Sequence, residues 1–384
     1  MARTLRIKNA RLVMGDKIVE DKDVWISGGR IAFIGGGIPE HAAFETLDAD
    51  DMYVAPGFVD IHTHGSFGVD IATASNDELR KMASQLPKHG VTGFCPTLAT
   101  MAERQLDVAT DRIRKALKGP KSARNLGIHL EGPYLNPERP GALKQEIFSK
   151  YDREGGKPFS ECGVVLVTLA PEVQGAMQLI TDLTGDGVTA AVGHSAATWD
   201  ELNMAVSKGL SHVTHLFNAC SPFHHREPGV VGAGLLRNEL SVELIADGHH
   251  LHPRAIELVA RMKPQDKIVL VSDAMAAAGL KDGDYELGAT KVHVVDGAAR
   301  TGDGNLAGST LTLDKALRNF IEMTGFDLPS AVRTLTANPA NVIGLGARKG
   351  RIERGYDADL VFVDLSLRVR QTMIGGEIVW KSTE

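Results

Sequence analysis

Apolar and polar residues change rhythm twice along this chain. Residues 6–13 and 23–34 alternate apolar and polar side chains, the period of a half-buried strand, with Gly28-Gly29 and Gly35-Gly36-Gly37 as turn signals. The far end repeats that texture. Residues 359–363 (Asp359-Leu360-Val361-Phe362-Val363) read as an apolar strand, and residues 371–381 as a hairpin turning at Gly375-Gly376. Two β-rich ends around a different middle predict one small β-sandwich domain assembled from both termini, residues 1–54 and 352–384.

Between them, short apolar runs alternate with helical stretches such as 76–88, 101–118 and 199–207. Eight strand candidates can be counted: 53–61, 93–98, 126–130, 164–169, 189–192, 212–216, 242–246 and 268–271. Alternation of strand and helix implies βαβ units and a parallel sheet. Eight such strands in one run favour a closed (β/α)8 barrel over an open doubly wound sheet, which places the barrel at residues 55–351. The chain shows no short internal repeat, low-complexity tract or flexible linker.

Composition supports this reading and narrows the partners. A length of 384 residues exceeds one small domain, whereas a single α/β barrel of about 250 residues is ordinary. With 43% hydrophobic and 23% charged residues, a large core is available and disorder is disfavoured. A formal net charge of −6 without a strongly basic stretch argues against nucleic acid as a partner. It leaves room for an anionic small substrate, which a few placed cations suffice to bind. The first residues lack an apolar signal-peptide core and no apolar run reaches membrane-spanning length, so neither secretion nor a membrane is expected. Three widely separated cysteines, Cys95, Cys162 and Cys220, fit reduced thiols in a cytoplasm.

The chemistry shows in where polar residues fall. Strand after strand ends in a metal-capable or acidic residue: Asp60-Ile61-His62-Thr63-His64, His129-Leu130-Glu131, Gly193-His194, Thr214-His215, Asp247-Gly248-His249-His250 and Ser272-Asp273. In an α/β barrel the C-terminal strand ends form the catalytic mouth, so these scattered residues converge. A lone histidine at a strand end is more often a hydrogen-bonded structural residue than a ligand. His62 and His64, two apart on a strand, point to the same side and can grip one ion. Imidazole and carboxylate donors without a thiol pattern suit zinc, with iron, manganese or cobalt as alternatives.

On these residues the chain resembles the amidohydrolase superfamily, and more narrowly its N-acetylglucosamine-6-phosphate deacetylases. The resemblance spans essentially the whole chain. It is carried by Pro56-Gly57-Phe58-Val59-Asp60-Ile61-His62-Thr63-His64, His129-Leu130-Glu131-Gly132-Pro133, Gly193-His194-Ser195, His215-Leu216-Phe217-Asn218-Ala219, Arg226-Glu227-Pro228-Gly229, Ser272-Asp273-Ala274 and Leu306-Ala307-Gly308-Ser309. The first motif marks the superfamily; the Glu-Gly-Pro and His-Leu-Phe-Asn-Ala segments are specific to the deacetylases. The resemblance implies one or two divalent ions per subunit. Glu131, His194 and His215 are the ligands of one, and His62 and His64 of a second. No lysine stands at the fourth strand end (Val164-Val165-Leu166-Val167-Thr168-Leu169), and the resemblance gives Glu131 the bridging or anchoring role instead.

It also implies Asp273 as general base and then acid, with a ligand or helix-cap role as the plainer alternative. Substrate contacts are implied at Ala142, at the backbone of Asn218 and Ala219, at Arg226 and His250, and at Leu306, Ala307 and Gly308. Arg226 would reach the site of a neighbouring subunit in a homodimer. The expected reaction is hydrolysis of N-acetyl-D-glucosamine 6-phosphate to D-glucosamine 6-phosphate and acetate. The chain departs from the pattern at Leu143, where many relatives carry a sugar-contacting histidine. That keeps N-acetylgalactosamine 6-phosphate, or another acylated amino sugar, as an alternative substrate. A different amidohydrolase, or a barrel without catalysis, is the remaining reading, and metal content separates the last from the rest.

Overall fold

The computed structural model describes residues 4–36, 44–101, 103–119, 121–152, 159–288 and 290–383. Its middle is a barrel of eight parallel strands: β1 (Phe58–Thr63), β2 (Val91–Ala99), β3 (Ile128–Glu131), β4 (Val164–Leu169), β5 (Thr189–Val192), β6 (His212–Val213), β7 (Ser241–Leu244) and β8 (Ile268–Leu270). The ring closes just past β8, where Ala274 bridges to Thr63 and the Asp273 amide donates to the His62 carbonyl at 2.9 Å. Because every strand runs the same way, all C-terminal ends share one rim.

Amphipathic helices cover the barrel. Helix Asn76–Gln85 starts at a capping box. Ser75 accepts from the Glu78 amide, the Glu78 carboxylate accepts from the Ser75 amide at 2.8 Å, and Leu79, Met82 and Ala83 face the core. Helix Trp199–Ser207 opens on the same arrangement between Thr198 and Glu201. Each such cap contributes about 1 kcal/mol.

In the barrel, two strand expectations are corrected. The run 53–61 is two strands that belong to different sheets, and the break lies at Gly57. A Cβ at Gly57 would stand 2.2 Å from the Thr92 side chain, so only glycine lets the chain turn there. The sixth strand stops at Val213 instead of running to 216, because His215 takes a left-handed conformation with φ 29°. A further element was not anticipated. Gly283–Leu287, Thr290–Val295 and Ala298–Thr301 form a three-stranded antiparallel sheet between β8 and helix Leu313–Thr324.

The termini meet as expected. A four-stranded sheet holds Thr4–Lys8, Asp23–Ser27, Arg30–Gly35 and Glu45–Asp48. A six-stranded sheet holds Arg11–Met14, Lys17–Val19, Tyr53–Pro56, Leu360–Val363, Val369–Ile374 and Glu377–Lys381. The expected strand 6–13 divides at Asn9 (φ 53°), which sends its halves to opposite sheets. Ile7, Val24 and Ile31 from one sheet pack with Leu12, Val54, Phe362 and Met373 from the other, which makes the pair a sandwich. Tyr53–Pro56 pairs antiparallel with Leu360–Val363, so chain from both ends shares one sheet.

Candidate metal centre and active site

Glu131 ends β3, His194 follows β5 and His215 follows β6. The barrel brings them together. Nε2 of His194 and Nε2 of His215 lie 3.1 and 3.0 Å from the same oxygen, Oε1 of Glu131. Burial alone would push the Glu131 carboxyl up, but bonds from His194, His215 and His64 hold it well below the usual range. Both histidines sit in left-handed backbone, φ 49° and 29°, a conformation that costs a non-glycine residue on the order of 1 kcal/mol and clusters at functional sites. The outer nitrogen of His194 is fixed by the Arg139 carbonyl at 2.9 Å, which leaves Nε2 for the centre.

His62, His64 and Asp273 form a second group beside the first. The two Nε2 atoms are 3.2 Å apart, and Asp273 Oδ1 is 3.5 Å from each. Asp273 is held in left-handed backbone (φ 46°) by its amide bond to His62 and by the Ser309 amide on its carbonyl at 2.7 Å. Glu131 joins the two groups, since its Oε2 is 3.3 Å from His64 and its Oε1 is 3.8 Å from His62. Burial opposes charge on His62, yet the carboxylates of Glu243, Asp273 and Glu131 push its pKa up to about 10. Buried donors arranged so that carboxylates favour positive charge in their midst are the set a divalent cation satisfies.

Beneath the triads lies a layer of polar side chains, of which the strand-end reading named Asp60 and Ser272 but missed Glu243. Glu243, in the middle of β7, faces His62 Nδ1 at 2.9 Å and His212 Nε2 at 3.1 Å. Burial would raise its carboxyl, but His62 and His212 hold it well below the usual range. Asp60 accepts from Ser272 Oγ at 2.6 Å and so ties β1 to the segment after β8. Burial pushes Asp60 up to about 6 against that bond. The signal for Glu243 was a lone acid between Val242 and Leu244.

Above the triads opens a cavity of about 210 Å³. Its floor is His64, Glu131, His194, His215 and Asp273, while His62 lies beneath, fully buried. Of the expected substrate contacts, Ala142, Asn218, Ala219, His250, Leu306 and Gly308 line the wall. Ala307 does not. It is buried among Met275, Val292 and Val294 on the far side of its loop. Arg226 lies outside the cavity on an exposed loop, with Nη1 2.9 Å from His225 Nε2. Leu143 is at the wall, as are Leu287 and Asn305, which were not anticipated. Burial disfavours charge on His250, but the Asp247 carboxylate, 2.7 Å from Nδ1, raises its pKa above the ordinary value. His89, outside the site, closes a helical turn and bonds Asp314 at 2.9 Å.

A model of the amidohydrolase family matches residues 53–379. The chain belongs to the amidohydrolase family. Amidohydrolases are metal-dependent, and the paired triads agree with that. This amidohydrolase is 37% identical to the N-acetylglucosamine-6-phosphate deacetylase of Bacillus subtilis (strain 168), with 100% of this chain and 99% of that one covered. It is 36% identical to the N-acetylgalactosamine-6-phosphate deacetylase of Escherichia coli O157:H7, over 98% of this chain and 99% of that one. A solved structure, a mutant of the N-acetyl-D-glucosamine-6-phosphate deacetylase of Mycobacterium smegmatis in complex with N-acetyl-D-glucosamine-6-phosphate, superposes with a TM-score of 0.88 at 33% identity. That alignment covers 98% of this chain and 99% of the other. Among the described residues no helix is long and apolar enough to cross a membrane.

Proposed function

We propose that this amidohydrolase removes the acetyl group of N-acetyl-D-glucosamine 6-phosphate, releasing D-glucosamine 6-phosphate and acetate. One observation carries the reading: Glu131 presents its two oxygens to two buried ligand groups on the floor of a small cavity. Glu131, His194 and His215 would hold one divalent ion, and His62 and His64, with Asp273 beside them, a second; zinc fits these donors best, with iron, manganese or cobalt as alternatives. A divalent ion bound there lowers the pKa of water and polarises the acetyl carbonyl.

The chain's own groups do the rest. Asp273 lines the cavity and takes the proton of the attacking water on its carboxylate, then delivers it to the departing sugar nitrogen. Its locked backbone aims the carboxylate at the cavity. Asn218 and Ala219 offer backbone at the wall, where φ is positive at 215, 217 and 219, and His250 adds a donor that Asp247 keeps oriented. Arg226 would complete the phosphate site from a neighbouring subunit of a homodimer. Its exposure and its distance from its own cavity support that assignment, and a planar guanidinium suits a phosphate. A phosphorylated sugar substrate supports a cytoplasmic location for the enzyme. Leu143 at the wall and the similarity to the E. coli enzyme favour one second reading, the galactosamine epimer.

The test is acetate release by the zinc-loaded enzyme from N-acetylglucosamine and N-acetylgalactosamine, each with and without the 6-phosphate. N-acetylglucosamine 6-phosphate should be turned over far faster than the other three. Preference for the galactose epimer would keep the chemistry and move specificity to the Leu143 loop. Absence of turnover on all four by metal-loaded protein would overturn the deacetylase reading.

A further inference from the structure

We propose that Glu243 is a positioning residue common to the two ligand triads, so that binding of each ion depends on it; this rests on the metal reading above. Glu243 is fully buried inside the barrel, where an unpaired carboxylate is costly. Its bonds show what holds it there. Oε2 accepts from His62 Nδ1 at 2.9 Å and from the His215 backbone amide at 3.1 Å, and Oε1 lies 3.1 Å from His212 Nε2. One oxygen atom therefore serves a ligand of each triad.

The two contacts act differently. On His62 the carboxylate engages Nδ1, fixes the ring plane and leaves Nε2 facing His64, Asp273 and Glu131. Carboxylates behind histidine ligands set tautomer and basicity in this way. On His215 the contact is to the backbone, at the residue whose φ of 29° departs from ordinary strand geometry. It pins the point from which the imidazole reaches Glu131 at 3.0 Å. Loss of the Glu243 carboxylate frees a ring in one triad and removes one of the bonds that hold a main-chain turn in the other. His212 is braced from its far side by Ser241 Oγ at 2.8 Å, so a glutamine at 243 can keep the geometry with its amide NH2 toward His212.

Zinc binding to the metal-stripped full-length protein tests this without reference to turnover, by calorimetric titration and zinc content per subunit, with thermal melting as a check on folding. Four proteins are compared: wild type, Glu243→Ala, Glu243→Gln and His62→Ala. Glu243→Ala should weaken both binding steps about 10- to 100-fold, the usual effect of losing such a partner. Glu243→Gln should recover most of that loss at both steps, and His62→Ala should remove one step while leaving the other within a few-fold. If Glu243→Ala weakens one step only, or neither, the shared role is wrong. If that variant fails to fold, Glu243→Asp replaces it, since it keeps the charge but shortens the reach. Weakening of both steps then supports the proposal, and unchanged binding overturns it. Wild type with fewer than two ions also overturns it, and with none it removes the metal reading as well. Two ions bound equally well by wild type and Glu243 variants refute this inference alone.

Discussion

The two ligand triads use the same residue types on different scaffolding. Glu131, His194 and His215 arrive singly, each from a different strand, and meet only because β3, β5 and β6 hold their order in the ring. His62, on β1, and His64, just past its end, stand two residues apart and need only Asp273 across the closing seam. The first triad is organised around a single carboxylate oxygen and meets Glu243 only through the His215 backbone, whereas the second has a ligand ring braced by Glu243 and its strand tied by the Asp60–Ser272 bond. A local pair of histidines is thus easy to place and depends on its supports. A dispersed triad is hard to assemble but shares its carboxylate with its neighbour. Glu131 should then matter to both triads, and His64 to one.

The comparison can be broken at three points. Glu131→Ala has the largest expected effect, because both groups lose their common carboxylate. Acetate release should fall by about a thousandfold or more and zinc content should drop; activity within tenfold of wild type would remove Glu131 from the centre. Asp273→Asn comes next. It keeps the shape of the second group but cannot accept the proton, so kcat should fall about 10²- to 10⁴-fold while the first ion stays bound. A near-normal kcat with metal retained would make Asp273 a ligand or a cap only. His64→Ala should do least, with one ion lost and about a 10- to 100-fold loss of turnover. Loss as deep as that of Glu131→Ala would mean that the triads contribute equally.

Much of this was legible in the sequence, for reasons that differ by residue. The strand-end positions of His62, His64, Glu131, His194, His215 and Asp273 marked the rim, because apolar strands bounded by polar residues leave few places for those residues to go. Glu243 was not legible. Val242-Glu243-Leu244 alternates like a strand with one wet face, and a period of two cannot distinguish solvent from a polar barrel interior. The sheet at 283–301 carried a turn signal at Asp296-Gly297, and Thr290–Val295 alternates buried and exposed side chains, but a short meander inserted after the last barrel strand has no place in a strand–helix alternation. Leu306 and Ala307 show the limit of a motif. Neighbours in sequence, they face opposite ways, because one lines the cavity and the other fills the small core under that sheet. Arg226 could not be assigned within one chain, since it stands outside the cavity of its own rim.

The turn at Gly57 has a consequence for the order in which the molecule is built. The strand just before it, Tyr53–Pro56, is flanked in its sheet by Arg11–Met14 on one side and Leu360–Val363 on the other. A chain leaves the ribosome N-terminus first. The edge of Tyr53–Pro56 that awaits Leu360–Val363 therefore stays unpaired until the whole barrel has been synthesised. His62 and His64, made early, follow directly on a strand whose sheet is completed only at the end of the chain.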